Sequence, residues 1–182
     1  IKGTAEAICV ISDWHIGCVV DSFYNQFNLE IAKERIAKLR DYTLKYCKQF
    51  GVRKLHILNL GDLIEGEIHT TARVTNEMDT IGQIKQASEL LSQFVVDIAS
   101  EVEHVCYRSI TDNHSRVIQN YKENLDGDSF VYLIDWILEM KLQLAGVTNV
   151  ELCFDNLSDN FGLFRLDCGK QVGFSHGHRQ NV

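Results

Sequence analysis

Short apolar runs alternate with long amphipathic segments over the first 110 residues of the chain, and this alternation limits the folds that it can adopt. Apolar runs at 7–11, 55–60 and 104–110 predict strands, whereas segments 29–50 and 79–100 carry apolar residues at helical spacing. The run 55–60 is apolar at almost every position, which is typical of a strand covered on both faces. The order strand–helix–strand–helix–strand therefore predicts an α/β fold built on parallel strands.

The pattern changes after residue 110. Residues 115–126 are polar and predict a loop, and a third helix is expected to begin at Asp128 or Ser129 and to end near Ala145. Three short strand-like runs follow, at 150–154, 162–166 and 171–175. Because short polar loops join them, they predict an antiparallel or mixed second sheet. The sequence contains neither repeats nor a linker, so a single domain is expected over residues 1–182.

Composition excludes several classes of protein. The 182-residue chain has a net charge of −7, so it is not a histone-like nucleic-acid binder, although bound divalent ions could still attract a phosphate. Its six cysteines are scattered without a C-x-x-C motif and predict buried free thiols in a reducing compartment, not disulfides or a zinc cluster. No run has transmembrane length and no signal peptide is present, so a membrane partner is not expected. Homo-oligomerisation stays open.

Side chains that can bind metal follow four of the predicted strands. They are Asp13 and His15 after 7–11, Asp62 and Glu65 after 55–60, Asn113 and His114 after 104–110, and His176 and His178 after 171–175. Ligands of α/β sheets sit at the carboxyl ends of the strands, so these side chains are expected to lie close together. Mixed oxygen and nitrogen ligands suit manganese, iron or zinc better than calcium.

The motifs that contain these residues resemble those of the calcineurin-like metallophosphoesterases. They are V-I-S-D-W-H-I-G, N-L-G-D-L-I-E-G, T-D-N-H-S-R and F-S-H-G-H, in that order along nearly the whole chain. The resemblance is closest to bacteriophage and DNA-repair-exonuclease-like members. It implies a four-layer sandwich, in which two face-to-face mixed sheets are flanked by helices, and a cytoplasmic location in a bacterium or a phage-infected host.

The resemblance also implies a role for each motif residue. Asp13 and His15 would bind a first metal ion, Asn113 would bind a second ion, and Asp62 would bridge the two. His114 would lie beside the phosphate and act as a catalytic proton donor without binding metal. The implied cofactor is a pair of divalent ions about 3.5–4 Å apart, with Mn²⁺ as the first choice and iron or zinc as alternatives. The implied reaction is hydroxide attack on the phosphorus of a phosphodiester, with DNA or a nucleotide as substrate.

The C-terminal sequence S-H-G-H allows two assignments. It is either a degenerate form of the last family motif, G-H-x-H, so that His176 and His178 are both ligands, or the site of the single conserved histidine that precedes that motif. In the second case His176 is the ligand and the last motif lies beyond Val182. No histidine occurs between His114 and His176, which favours the second assignment and a domain that is incomplete at its C-terminus.

The chain departs from the family pattern at three positions. Asp112 replaces a glycine, so the turn there must accept a Cβ atom. Ser115 replaces the acidic residue that would orient the ring of His114, and Glu65 replaces an Asp or Asn. Three further residues are candidates to bind metal or substrate, with an ordinary polar loop as the alternative for each: His69, Arg73 and Arg116.

The sequence leaves alternatives to the phosphodiesterase. A phosphomonoesterase or a nucleotide pyrophosphatase would use the same metal ligands. A non-catalytic scaffold with the same fold is the alternative from another class, because some family members have lost their catalytic histidines. The presence of His114 together with the other motif residues argues against a scaffold, which has no use for a proton donor.

Overall fold

The computed structural model describes residues 3–68, 70–120, 122–125 and 127–178, with the side chains of all but residues 70–72. Its elements, in chain order, are β1 (Ala5–Ile11), β2 (Val20–Asp21), β3 (Gln26–Phe27), α1 (Leu29–Phe50), β4 (Val52–Asn59), α2 (Thr70–Thr75), α3 (Thr80–Ala99), β5 (His104–Ser109), α4 (Phe130–Leu144), β6 (Val150–Leu152), β7 (Phe161–Arg165) and β8 (Gln171–Ser175). Among these residues no helix is long and apolar enough to cross a membrane.

The main sheet has four strands in the spatial order β1-β4-β5-β6, and every neighbouring pair is parallel. The helices α1, α3 and α4 each lie between two successive strands of this sheet in the chain, as parallel pairing requires. The prediction of an α/β fold with parallel strands is therefore confirmed. The last five residues of β4 are all buried, as its continuous apolar run indicated.

Local sequence accounts for where the helices begin and end. At the start of α1 the Asn28 side chain accepts a hydrogen bond from the Ile31 N–H, and at its end Gly51 adopts the left-handed conformation. Asp79 and Ser129 cap α3 and α4 in the same way as Asn28 caps α1. The predicted helices accordingly match the observed ones to within about a residue at each end.

The two faces of the main sheet pack against different layers. Leu55 and Ile57 of β4 belong to the large apolar cluster that also contains the buried residues of α1, α3 and α4. Leu58 points to the opposite face, where it packs with Phe164 of β7 and Phe174 of β8. The main sheet thus lies between the helices and a two-stranded antiparallel sheet formed by β7 and β8.

Two parts of the predicted fold are corrected. The run at 150–154 was assigned to the second sheet, but β6 pairs in parallel with β5 and belongs to the main sheet. Within the described residues the main sheet is entirely parallel and not mixed, whereas the β7–β8 sheet is antiparallel, which is one of the two forms predicted for the second sheet. Parallel strands need a long crossover connection, and α4 provides it between β5 and β6. The sequence of a three-residue strand does not show by itself which strand it will pair with.

Candidate metal centre

Backbone strain is concentrated at three of the predicted ligands. Asp13, His15 and Asp62 have φ values of 57°, 44° and 52°, and they are the non-glycine residues with positive φ in the described part of the chain. Such conformations cost of order 1–3 kcal/mol each and persist where the surrounding structure imposes them. Because β1 ends at Ile11, Asp13 and His15 lie in the loop that follows this strand.

Hydrogen bonds between two loops impose these conformations. The Asp13 N–H donates to the Gly61 carbonyl at 3.1 Å, and the His15 N–H donates to the Asp62 carbonyl at 2.9 Å. The loops that follow β1 and β4 therefore remain paired beyond the ends of their strands. Asp13, His15 and Asp62 are held at the carboxyl edge of the main sheet, where the sequence predicted them.

Asp112 joins the loop after β5 to this pair of loops. Its buried carboxylate accepts hydrogen bonds from the Asp62 N–H at 2.9 Å, the Ser115 N–H at 2.6 Å and the Ser115 hydroxyl at 2.9 Å. The turn accepts the Cβ of Asp112 because residue 61 is glycine: a Cβ there would lie 2.4 Å from that of Asp112. The role of Asp112 was not predicted, although an Asp that accepts from the N–H three residues later is a known local pattern.

Three histidine rings face the carboxylate of Asp62. The distances from its Oδ2 atom to the Nε2 atoms are 3.4 Å for His176, 3.9 Å for His15 and 4.0 Å for His114. Asp62 itself is 4% exposed. Burial and the charge of Asp112 raise the pKa of Asp62 to about 6, against the opposing effect of the three rings.

The other nitrogen of each ring is occupied. His114 Nδ1 lies 2.7 Å from the Glu65 carbonyl oxygen, and His176 Nδ1 lies 2.8 Å from the Leu60 carbonyl oxygen. A carbonyl oxygen can only accept, so both Nδ1 atoms carry hydrogen, and in the neutral ring Nε2 presents a lone pair. His15 Nδ1 lies 2.8 Å from the Glu65 carboxylate. Metal-binding histidines show this arrangement, in which a second group fixes the tautomer and the orientation of the ring.

The environment of His15 combines two opposing effects. Burial lowers the pKa of its ring, whereas the hydrogen bond to Glu65 and the charges of Glu65, Asp62 and Asp13 raise it. The net effect is a raised pKa, which reflects the excess of carboxylates around this ring. A bound cation would compensate the same excess of negative charge.

Two overlapping sets of ligand atoms share Asp62. Asp13 Oδ1 lies 3.7 Å from His15 Nε2, and Asn113 Oδ1 lies 2.8 Å from His176 Nε2. In each set a ring nitrogen lies beside an oxygen atom that can only accept, so a divalent ion could take the place of the hydrogen between them and be bound by both atoms. The residues therefore fit two divalent ions with mixed oxygen and nitrogen ligands. The geometry also admits His114 as a ligand, because its ring nitrogen lies within 4.8 Å of the ligand atoms of His15 and Asp62.

Glu65 and His178 occupy positions next to these sets. The Glu65 carboxylate binds the His15 ring on the side away from Asp62, so Glu65 positions a ligand. The ring centroid of His178 lies 5.3 Å from that of His176, which places His178 beside the site. His69 lies outside the described residues.

The two predicted arginines differ in their distance from the ligands. Arg116 Nε donates to the Asn113 carbonyl at 3.1 Å and thereby supports the loop that carries Asn113. Arg73 is 69% exposed and forms an ion pair with Glu67 at 3.2 Å. Its contacts are those of a surface residue.

No protein-family model matches the chain, and no curated protein or solved structure shows significant similarity to it. The metallophosphoesterase family therefore stays a prediction that rests on the four sequence motifs. The chemistry of the site has to be argued from the residues themselves.

Proposed function

We propose that this protein is a metal-dependent phosphoester hydrolase that acts on a phosphodiester such as DNA or a nucleotide. The observation that supports this most is the convergence of three histidine Nε2 atoms on the buried carboxylate of Asp62. We place the protein in the cytoplasm of a bacterium or of a phage-infected host, where its six free cysteines would remain reduced.

The residues divide naturally into ligands for two ions. Asp13 and His15 would hold one ion, Asn113 and His176 would hold the other, and Asp62 would be shared between them. When bound, divalent ions, preferably manganese, supply an activated water and neutralise charge on the phosphoryl group. The strained backbone at Asp13, His15 and Asp62 fixes these side chains before the substrate arrives.

His114 is the proposed proton donor to the leaving oxygen. Its Nδ1–H is held by the Glu65 carbonyl, so Nε2 is the atom that can take up and release a proton. The side chain is 13% exposed, and its Nε2 atom lies 4.0 Å from Asp62 Oδ2. This orientation comes from a backbone carbonyl, so His114 does not need the acidic neighbour that Ser115 replaces.

We also propose that the fold is a four-layer sandwich. Helices on one face of the main sheet and the β7–β8 pair on the other correspond to three layers of a four-layer sandwich. The fourth layer would be helical and would cover the outer face of β7. Phe161 and Leu163 alternate with buried residues along β7 and are exposed on that face, as such a layer requires.

The test is hydrolysis of bis-p-nitrophenyl phosphate and p-nitrophenyl phosphate by the metal-free protein, with and without added Mn²⁺. The proposal predicts manganese-dependent turnover with preference for the diester. Faster turnover of the monoester would instead identify a phosphomonoesterase. Absence of turnover on both esters with any divalent metal, in protein shown to be folded, would contradict an enzyme and favour a scaffold.

The matched variants are Asp62→Asn and Asp135→Asn, because both carboxylates are buried to the same extent, at 4% exposure. Asp62→Asn should abolish the manganese-dependent turnover. Asp135→Asn should retain it, since Asp135 lies in α4, outside the two sets of ligand atoms. Equal losses in both variants would indicate that burial of a charge, rather than metal binding, explains the effect.

A further inference from the structure

A second cluster of metal-competent side chains lies on the main sheet. His104 and Cys106 belong to β5, and Glu151 and Cys153 lie in and directly after β6. Cys106 is paired in register with Glu151, and the Cys153 N–H donates to the Tyr107 carbonyl at 2.9 Å. Alternate residues of a strand share a face, so the segments H-V-C and E-L-C place four side chains in one cross-strand patch.

Three of the four ligand atoms, those of His104, Cys106 and Glu151, lie within 4.8 Å of one another. His104 Nε2 lies 3.3 Å from Glu151 Oε2, and Cys106 Sγ lies 3.7 Å from the same oxygen. In a tetrahedral site, zinc bonds of about 2.0 Å to nitrogen and oxygen and about 2.3 Å to sulfur separate N and O by about 3.3 Å and S and O by about 3.5 Å. Little movement of these three side chains would be needed.

Both sulfur atoms lie next to Glu151. Cys106 Sγ lies 3.7 Å from the Glu151 carboxylate, and Cys153 Sγ lies 3.8 Å from the Glu151 carbonyl oxygen. Both cysteines are buried and neither is in a disulfide. Thiolate is the form that binds metal, so binding of a divalent ion would release the thiol protons to solvent.

The charge around the patch suits a divalent ion. Two thiolates and one carboxylate would leave a single negative charge after Zn²⁺ binds. Arg108 follows on the same face of β5, where its guanidinium lies 4.4 Å above the Phe164 ring, and it provides a positive charge on this face of the sheet.

We propose that His104, Cys106, Glu151 and Cys153 form a structural zinc site that is separate from the phosphoester site. The ion would tie β6, a three-residue strand at the edge of the sheet, to β5. Four protein ligands and no open position are typical of structural zinc. The cysteines of the metal-free chain are free thiols, as predicted. That prediction relied on the absence of C-x-x-C, a pattern that does not cover ligands from two strands.

The test is titration of the reduced, metal-free chain with Co²⁺, whose thiolate complexes absorb by sulfur-to-cobalt charge transfer. We expect a charge-transfer band that saturates at one equivalent and disappears when Zn²⁺ is added. All the ligands of the phosphoester site are nitrogen or oxygen atoms, so that site does not produce the band. Asp62→Asn should therefore keep the band, whether or not the proposed hydrolase activity exists.

Matched variants locate the ion. Cys106→Ala should lose the band, whereas Cys47→Ala, at an equally buried thiol with 2% exposure, should keep it. His104 is 40% exposed, so the His104→Gln variant should still fold. Loss of an outer-shell partner lowers metal affinity about 10- to 100-fold, and loss of the His104 ligand should lower the affinity for Co²⁺ by more than that. The proposal fails if the reduced wild type shows no band or if the band survives in Cys106→Ala. If the band is absent and air oxidation forms a disulfide between Cys106 and Cys153, the two cysteines are a redox pair and not zinc ligands.

Discussion

Asp62 and Asp135 are equally buried carboxylates with opposite surroundings. Asp135, in the middle of α4, accepts hydrogen bonds from the hydroxyls of Tyr107 and Ser109. Asp62, in a strained loop, faces three imidazole nitrogens whose partner nitrogens are already bound to other groups.

The difference separates two reasons for burying a carboxylate. Hydroxyl donors satisfy Asp135, and the Asn59 amide extends that network by donating to Tyr107 at 2.9 Å. Such an arrangement joins α4 to the main sheet and needs no further ligand. Around Asp62 potential ligand atoms converge instead, and the strained backbone maintains that convergence, which is what a cation site requires.

Among the variants that follow from this comparison, Asp62→Asn is expected to have the largest effect on activity. Loss of the shared carboxylate should lower manganese-dependent diester hydrolysis by at least about 1,000-fold, because it weakens both proposed ion sites at once. The rise in Tm that Mn²⁺ causes in the wild type should also disappear, which thermal unfolding with and without Mn²⁺ would measure. If Mn²⁺ still stabilised the variant to the wild-type extent, Asp62 would not be a ligand of the bound ions.

His114→Gln should have the next largest effect and should show which role His114 has. As a proton donor, its loss should cost about 100- to 10,000-fold on a dinucleotide, whose alkoxide leaving group needs a proton. The loss should be much smaller on bis-p-nitrophenyl phosphate, because p-nitrophenolate leaves without one. Equal losses on both substrates, together with weaker Mn²⁺ affinity, would make His114 a metal ligand instead.

Glu65→Ala should act through His15 rather than at the reacting atoms. Without the 2.8 Å contact to His15 Nδ1, the Kd for Mn²⁺ should rise about 10- to 100-fold, while kcat at saturating metal changes less. Glu65→Gln should restore part of the affinity, since its amide oxygen still accepts from the ring. Glu67→Gln is the control, because Glu67 pairs with Arg73 and should leave the Mn²⁺ affinity unchanged.

Asp135→Asn should have the smallest effect on activity, within about twofold of the wild type, and a clear effect on stability. Burial raises the pKa of Asp135 to about 7 although the Ser109 and Tyr107 hydrogen bonds lower it. Because the folded state holds this proton more tightly than the unfolded state, where the pKa is about 3.9, ionisation of Asp135 lowers the free energy of unfolding as pH rises from about 4 to 7. The loss amounts to about 4 kcal/mol over that window.

Urea denaturation at pH 5 and pH 8 measures this effect. The wild type should lose more stability between the two pH values than Asp135→Asn, which has no carboxyl group to ionise. The difference between the two proteins isolates Asp135 from other titrating groups. Identical pH dependence in both would show that the hydroxyl donors keep Asp135 ionised at low pH.

The helices and the main strands were predictable because their determinants are local. Apolar spacing defined α1 and α3. The assignment of the run at 150–154 to the second sheet failed because a three-residue strand contains too little pattern to specify its partner. Its place beside β5 depends on how α4 packs against the main sheet.

Local sequence was enough to identify the side chains that follow the strands, and therefore the chemical types gathered at the carboxyl edge of the main sheet. Which atoms face one another depends on how the loops and strands pack. Three contacts between residues far apart in the chain illustrate this. Gly61 leaves room for the side chain of Asp112, the Glu65 carboxylate binds the His15 ring, and Cys106 Sγ contacts the Glu151 carboxylate. Short-range spacing sets backbone conformation, but the pairing of donors, acceptors and ligand atoms across loops and strands depends on packing that no local pattern contains.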